Sequence, residues 1–240
     1  MSIPANLKFL DCRTIGESDS LEGILDELQR IGLNPGLIEV GSLAFERFAF
    51  WRYYDDKAKG ELGIAYDKRQ LTFRTTDSKS YTTLTFDIGW SLDDAGVPTR
   101  ATLQATAFQT TMFTQREHDP ELHAQRFVDI GVQLYQLVHP TFGWMERCRP
   151  SGYTKWSHID NLEIPHIYWA NFFAPTYVNK YSREYFLSAP GWRKESLSDG
   201  GLLYVLSADL AGTGAESLIE QVKHYFGTES VRRGMVNPKN

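Results

Sequence analysis

Cys148 lies in the run Glu146-Arg147-Cys148-Arg149-Pro150, where two flanking guanidinium groups could lower a thiol's pKa and leave a reactive thiolate. A thiolate nucleophile also needs a histidine that the fold must bring to it, and no GxSxG elbow offers a serine alternative. His118 and His123 bracket Asp119 and Glu121. Their spacing is neither HExxH nor an i, i+4 pair, so it does not set two imidazoles on one helix face for zinc. Solvated residues at a helix start describe them better. His158 with Asp160, and His166, lack a second partner at a spacing that would fix proton-transfer geometry. Adjacent carboxylates Asp55-Asp56 and Asp93-Asp94 look like hydrolytic dyads, but neighbours in a turn point apart. Neither GxxxxGK[ST] nor GxGxxG occurs; Gly212-Thr213-Gly214, before the last helical segment, is the nearest phosphate-loop candidate, and a flexible turn with Thr213 near the N-cap describes it better. No metal, no cofactor and no essential single histidine or cysteine is expected.

The elements that must position these residues follow from periodicity. Leu21, Ile24, Leu25, Leu28 and Ile31 recur at helical spacing after Asp19 and Glu22, a candidate capping box, and stop at GLNPG; this predicts an amphipathic helix over 20–31. The aromatic segment LIEVGSLAFERFAFWRYYDD reads as extended. Three segments then alternate with period two. Leu71 and Phe73 form the first, Leu84, Phe86, Ile88, Trp90 and Leu92 the second, Ala101, Leu103, Ala105 and Ala107 the third. Short turn-like joints between them predict an antiparallel meander. Asp119-Pro120 opens a helix whose buried stripe is Phe127, Ile130, Gly131, Leu134, Leu137 and Val138, ending near His139-Pro140. It should lie across the sheet.

Beyond residue 150 the order reads strand (166–173), helix (176–187), strand (202–208), helix (215–226). Tyr177, Tyr181 and Tyr185 share a helix face and are expected to be core. The helix after DPELH and the one in AESLIEQVKHYFG both close on Phe-Gly preceded by a histidine. That echo suggests two related halves. The fold class is therefore α+β, an antiparallel sheet with helices packed on one face, in one domain over 1–240 with possible sub-halves 1–150 and 151–240.

With 42% hydrophobic and 23% charged residues the composition is that of a globular chain. The net charge of −5 is spread without a basic stripe, which argues against nucleic acid. No apolar run reaches the roughly 18 residues that span a bilayer, and the first twenty residues do not read as a signal peptide. The expected location is the cytoplasm, with no membrane partner. Cys12 and Cys148, the only cysteines, are expected to be reduced.

The segment YWANFFAPTYVNKYSREYFLSAPG followed by ESLSDGGLLYVLSADL, with Trp169, Asn171, Tyr177, Val178, Gly200, Gly201 and Leu202 as its motif residues, resembles the C-terminal pattern of bacterial immunity proteins encoded beside secreted toxins, including those of type VI systems. The resemblance covers roughly the last 80 residues. It implies an α+β protein without catalytic activity that binds and blocks a cognate toxin. The sequence expectation is thus a protein-binding module, with an enzyme using Cys148 or a histidine–carboxylate pair, or an assembly component of a phage or secretion machine, as alternatives. Candidate partner-binding residues are Tyr53, Tyr54, Asp55 and Asp56, with Asp93 and Asp94 in the first hairpin turn. Tyrosine gives contact area at small entropic cost, and turn carboxylates can orient a basic partner.

Overall fold

Period-two segments become strands and 3.6-periodic segments become helices in a computed structural model that describes residues 5–13, 18–40, 43–45, 70–77, 83–92, 98–107, 120–146, 154–208, 210, 216–228 and 230–232. The first part of the chain gives β1 (Ala5–Leu10), α1 (Ser18–Arg30), β2 (Leu33–Val40), β3 (Leu43–Phe45), β4 (Gln70–Asp77), β5 (Thr83–Leu92), β6 (Pro98–Ala107) and α2 (Pro120–Val138). The remainder gives β7 (Phe142–Glu146), α3 (Trp156–Asp160), β8 (His166–Tyr168), β9 (Ala170–Phe173), α4 (Pro175–Tyr181), α5 (Arg183–Ser188), β10 (Arg193–Ser196), β11 (Leu202–Val205), α6 (Glu216–Phe226) and β12 (Ser230–Arg232). Ten strands make one sheet in the order β10-β11-β9-β7-β1-β6-β5-β4-β2-β3. Every neighbouring pair in it is antiparallel. A parallel pair, β12 with β8, stands apart from it. This is the α+β class that the patterning implies.

β1 joins the two ends of the sheet. It pairs with β6 on one side, Ala5 opposite Ala107, and with β7 on the other, Asn6 opposite Glu146. Strands from both sides of residue 150 therefore share one hydrogen-bonded sheet. Its alternation decides what covers it. Leu7 and Phe9 face a first cluster with Leu84, Phe86 and Ile88 of β5, Leu103 of β6, Leu25 and Leu28 of α1, and Phe127 and Leu134 of α2. Phe142 and Trp144 of β7 face the other way, into a second cluster with Phe173, Tyr177, Phe186, Tyr204, Val222 and Phe226. α1 and α2 thus lie on one face, as expected, and α3 to α6 add side chains to the opposite face at the β7-β9-β11 end. That end is buried on both sides because β9 and β11 are apolar throughout apart from Asn171 and are buried at every position. Gly131 lets α2 approach it: a Cβ there would stand 2.3 Å from Met145 Cε and 2.9 Å from Phe172 Cζ.

Several boundaries differ from the periodicity. The strand expected over 166–173 is two strands in two sheets, broken at Trp169. The helix expected over 176–187 is two short helices, broken at Ser182, whose φ of 74° leaves the helical region and whose hydroxyl accepts from Tyr185 N at 3.2 Å. α1 begins at Ser18, so Asp19 lies inside the helix and not at its N-cap position. Gly32, at φ 90°, ends α1 as expected, but the following Leu33–Gly36 already belong to β2, whose register shifts between Pro35 and Ile38. A bulge is where a strand tolerates proline. No described helix is long and apolar enough to cross a membrane.

Phe86 is fully buried in the first cluster and Thr85 beside it is half-buried on the other face. Phe86→Ala should lose about 3–5 kcal/mol of stability as a large-to-small core change, and Thr85→Ala far less, read as the separation of their urea midpoints.

Candidate partner-binding surface

The aromatic segment after residue 166 is built as core. Pro175 opens α4 after the extended Ala174, its ring pre-set for a first helical turn. Tyr177 stacks on Tyr181 at 6.4 Å and Tyr181 on Tyr185 at 5.6 Å, as i, i+4 spacing requires. Their hydroxyls are spent on backbone. Tyr177 donates to Glu163 O (3.2 Å) and Tyr181 to Leu162 O (2.9 Å), while Lys180 Nζ donates to Asn161 O and Leu162 O. These carbonyls belong to the end of α3 and the turn after it, where a helix leaves acceptors unsatisfied. Tyr185 and Tyr225 each donate to the other's carbonyl, at 3.2 and 2.6 Å, with their rings 5.0 Å apart. α4, α5 and α6 are fastened by tyrosine tips.

The motif residues of the resemblance are structural in the same sense. Trp169 is fully buried and its indole donates to Ser207 O at 2.9 Å. Asn171, also fully buried, accepts from Tyr168 N and donates to Tyr168 O, both at 3.0 Å. It closes both polar groups of the residue at which the chain leaves β8 for β9. Gly200 holds φ 92°, and a Cβ on Gly201 would stand 2.7 Å from Phe173 O and 2.3 Å from Tyr135 Oη. The Tyr135 hydroxyl donates to Asp199 (3.0 Å), which also accepts Gly201 N (2.8 Å). Tyr177, Val178 and Leu202 are buried.

The residues singled out for chemistry are dispersed. Tyr53, Tyr54, Asp55, Asp56, Asp93, Asp94, His118 and Cys148 lie outside the described residues. Cys12 is a buried thiol whose pKa burial pushes well up, which makes it a poor nucleophile. His158 Nδ1 accepts Lys155 N at the start of α3 (3.2 Å), while Asp160 pairs with Arg100. His166 is buried edge-on to Tyr168. Among the described residues no group of three or more His, Cys, Asp or Glu is placed to hold a metal ion.

Two surfaces remain. The first is the sheet's second face over β1, β6 and β5. Lys8, Thr85, Asp87, Thr102 and Gln104 are half-buried there, and Thr106 donates to Asn6 at 2.9 Å. Burial holds the Lys8 ammonium below its ordinary pKa, partly offset by Glu146, and its Nζ stands 5.7 Å from the Trp144 ring. Arg100 lies 5.0 Å over the Trp156 ring, pairs with Asp160 and approaches Asp11 at 3.8 Å. These groups answer one another.

The second is the turn that leads into β10, the last strand in the sheet order. Leu122 (62%), Leu187 (42%) and Trp192 (39%) are the large hydrophobics exposed among the described residues. Leu187 follows buried Phe186 in α5 and faces out. Trp192 sits on a pinned turn: Ala189 N donates to Phe186 O (3.3 Å), Tyr204 Oη to Pro190 O, Lys194 Nζ to Ala189 O (2.9 Å), and Trp192 N to Val205 O (3.0 Å) and Leu206 O (3.2 Å). Since Arg193 also stands opposite Val205, Trp192 and Arg193 form a bulge, a device that re-aims a side chain at a sheet edge. Across the strand, Arg193 holds Glu195 (2.8 Å) and approaches Asp129 (3.6 Å), which shares a face of α2 with Leu122. Sequence reading passed over Trp192. Its one signal is a tryptophan after a Pro-Gly turn, outside any apolar period. No protein-family model, curated protein or solved structure matches the chain.

Asn171→Leu should remove the two hydrogen bonds that its side chain makes to Tyr168 N and O, at about 1 kcal/mol or more for each bond lost; the thermal midpoint should fall accordingly, and that of exposed Asn179→Leu should not. Tyr135, Tyr177 and Tyr204 have phenol pKa values pushed up, in each case mainly by burial, with Asp199 adding to the shift of Tyr135. The folded chain keeps these protons while the unfolded chain loses them above about pH 10, so stability is full below that pH and declines as pH rises past it. Tyrosinate absorbance at high pH should therefore contain a component that rises together with loss of the near-ultraviolet circular dichroism; a titration in which all the phenols ionise with the fold intact would contradict this.

Proposed function

We propose that the chain is a non-catalytic protein-binding module that captures and neutralises a cognate secreted toxin in the cytoplasm, as the immunity proteins it resembles do. The observation that carries the reading is Trp192, exposed on a turn bonded at Ala189, Pro190 and Trp192. Tryptophan and arginine dominate interface hot spots, and a turn already held in place loses little freedom on binding. The motif residues of the resemblance are consumed in holding β9, β11 and α4, so they support the scaffold and leave this turn for contact. The experiment is co-expression with the product of a toxin-like gene adjacent to its own. The chain and its Cys148→Ser variant should restore growth equally and co-purify with the toxin in fixed ratio. Growth restored only when Cys148 is intact, or no complex at micromolar concentrations, would reject the reading.

A further inference from the structure

We propose that Lys8 is a nucleophilic amine that captures a small aldehyde as an imine on the second face of the sheet. The site stands apart from Trp192, asks no turnover of the chain, and is tested independently of the protein-binding reading. β1 is the fifth of ten strands in the sheet order and is paired on both sides, so a lysine within it has no strand edge past which to carry its ammonium into open water. Its alternation sends Lys8 to the face opposite Leu7 and Phe9, where the residue is half-buried. Burial disfavours the charged form, and the Glu146 carboxylate offsets this in part. An amine that is more often neutral more often presents the lone pair that attacks a carbonyl carbon.

The surroundings select the electrophile. On β7 Lys8 stands opposite Trp144, with Nζ 5.7 Å from the ring centroid. The Trp144 indole donates to Glu146 Oε1 at 3.0 Å, and its ring stacks on Tyr168 at 4.7 Å, whose hydroxyl is bonded to Thr154 at 2.7 Å. Glu146, only 1% exposed, stands opposite Asn6, which accepts from Thr106. On the other side Gln104 of β6 stands opposite Lys8, and Asp87 of β5 opposite Gln104. A fixed carboxylate and an aromatic face with little water suit a weakly hydrated cation. An ammonium is strongly hydrated and loses most by leaving water; a protonated imine spreads its charge over carbon and nitrogen and loses less. In the reaction Lys8 Nζ bonds to the aldehyde carbon to give a carbinolamine, whose oxygen departs as water with one proton from nitrogen and one from solvent. Amine, aldehyde and one proton thus give a protonated imine and water, with the positive charge restored beside Glu146. Acylation would leave a neutral amide and a buried carboxylate without that countercharge, so an aldehyde fits where an activated acyl group does not.

The test treats the folded chain with acetaldehyde and sodium cyanoborohydride, which reduces the imine to a stable ethylamine, and reads each lysine by peptide mass spectrometry over a range of pH. At neutral pH Lys8 should be ethylated at least about tenfold faster than exposed Lys155 and Lys180, and its rate should reach half-maximum at a lower pH than theirs. Glu146→Gln keeps an acceptor for the Trp144 indole but removes the charge that favours the ammonium, so it should move the half-maximum lower still at an unchanged thermal midpoint. Lys8→Arg should lose the fast-labelled site. Ethylation of Lys8 no faster than that of Lys155 and Lys180, or a half-maximum at the same pH as theirs, would overturn the inference on the wild-type chain, whether or not either variant folds. A folded Glu146→Gln chain with an unmoved pH profile would overturn it as well. So would rapid acetylation of Lys8 by an N-hydroxysuccinimide ester without rapid ethylation, the mark of a reactive amine that does not hold an imine.

Discussion

A ten-stranded sheet satisfies its backbone in its own plane but presents two faces, and each apolar face must be covered by something. β1 is where this constraint changes character. Paired on one side with β6 and on the other with β7, it sends Leu7 and Phe9 into the first cluster and Asn6 and Lys8 to the second face. One strand further on, at Trp144 and Phe142, that second face becomes apolar and α3 to α6 close over it. The molecule is thus an amphipathic sheet at one end and a layered sandwich at the other. The helical cover of the sandwich end exists because of that switch.

Covering an apolar face with short helices raises a second difficulty, since α3, α4 and α5 have five, seven and six residues. Helices of that length cannot stand on their own hydrogen bonds and expose unsatisfied carbonyls at their ends. Tyrosine meets both needs, burying its ring and delivering its hydroxyl to such a carbonyl. Tyr177 and Tyr181 do this for the end of α3, and Tyr185 and Tyr225 do it for each other's helices. The aromatic density that first suggests a binding surface is therefore the cost of building a layer from short helices.

Legibility followed how one-sided each element is. β5 and β6 bury alternate residues, and their period shows in the sequence. β7, FGWME, is buried at every position, so no alternation marks it in the sequence. β1 does alternate, Ala5, Leu7 and Phe9 against Asn6 and Lys8, but six residues ahead of any helix carry little weight alone, and its central place comes from pairing that only the fold reveals. The break at Ser182 was hidden because Tyr177, Tyr181 and Tyr185 keep a common face through it. Of the candidate site, nothing was legible: Trp192 gains its meaning from bonds to Val205, Leu206 and the turn before it, partners that the sequence does not point to.

The same logic separates aromatics that build from aromatics free to bind. Trp169 sends its indole N–H to Ser207 O and Trp144 to Glu146 at 3.0 Å, and both rings are buried. Each of those side chains is fixed at ring and tip, so exposing either to a partner would mean dismantling the layer it holds. Trp192 is fixed differently: the bonds fall on its backbone and on its neighbours Ala189 and Pro190, while the residue stays 39% exposed. A backbone held rigid beneath an exposed ring wins affinity by burying area without first ordering a loop.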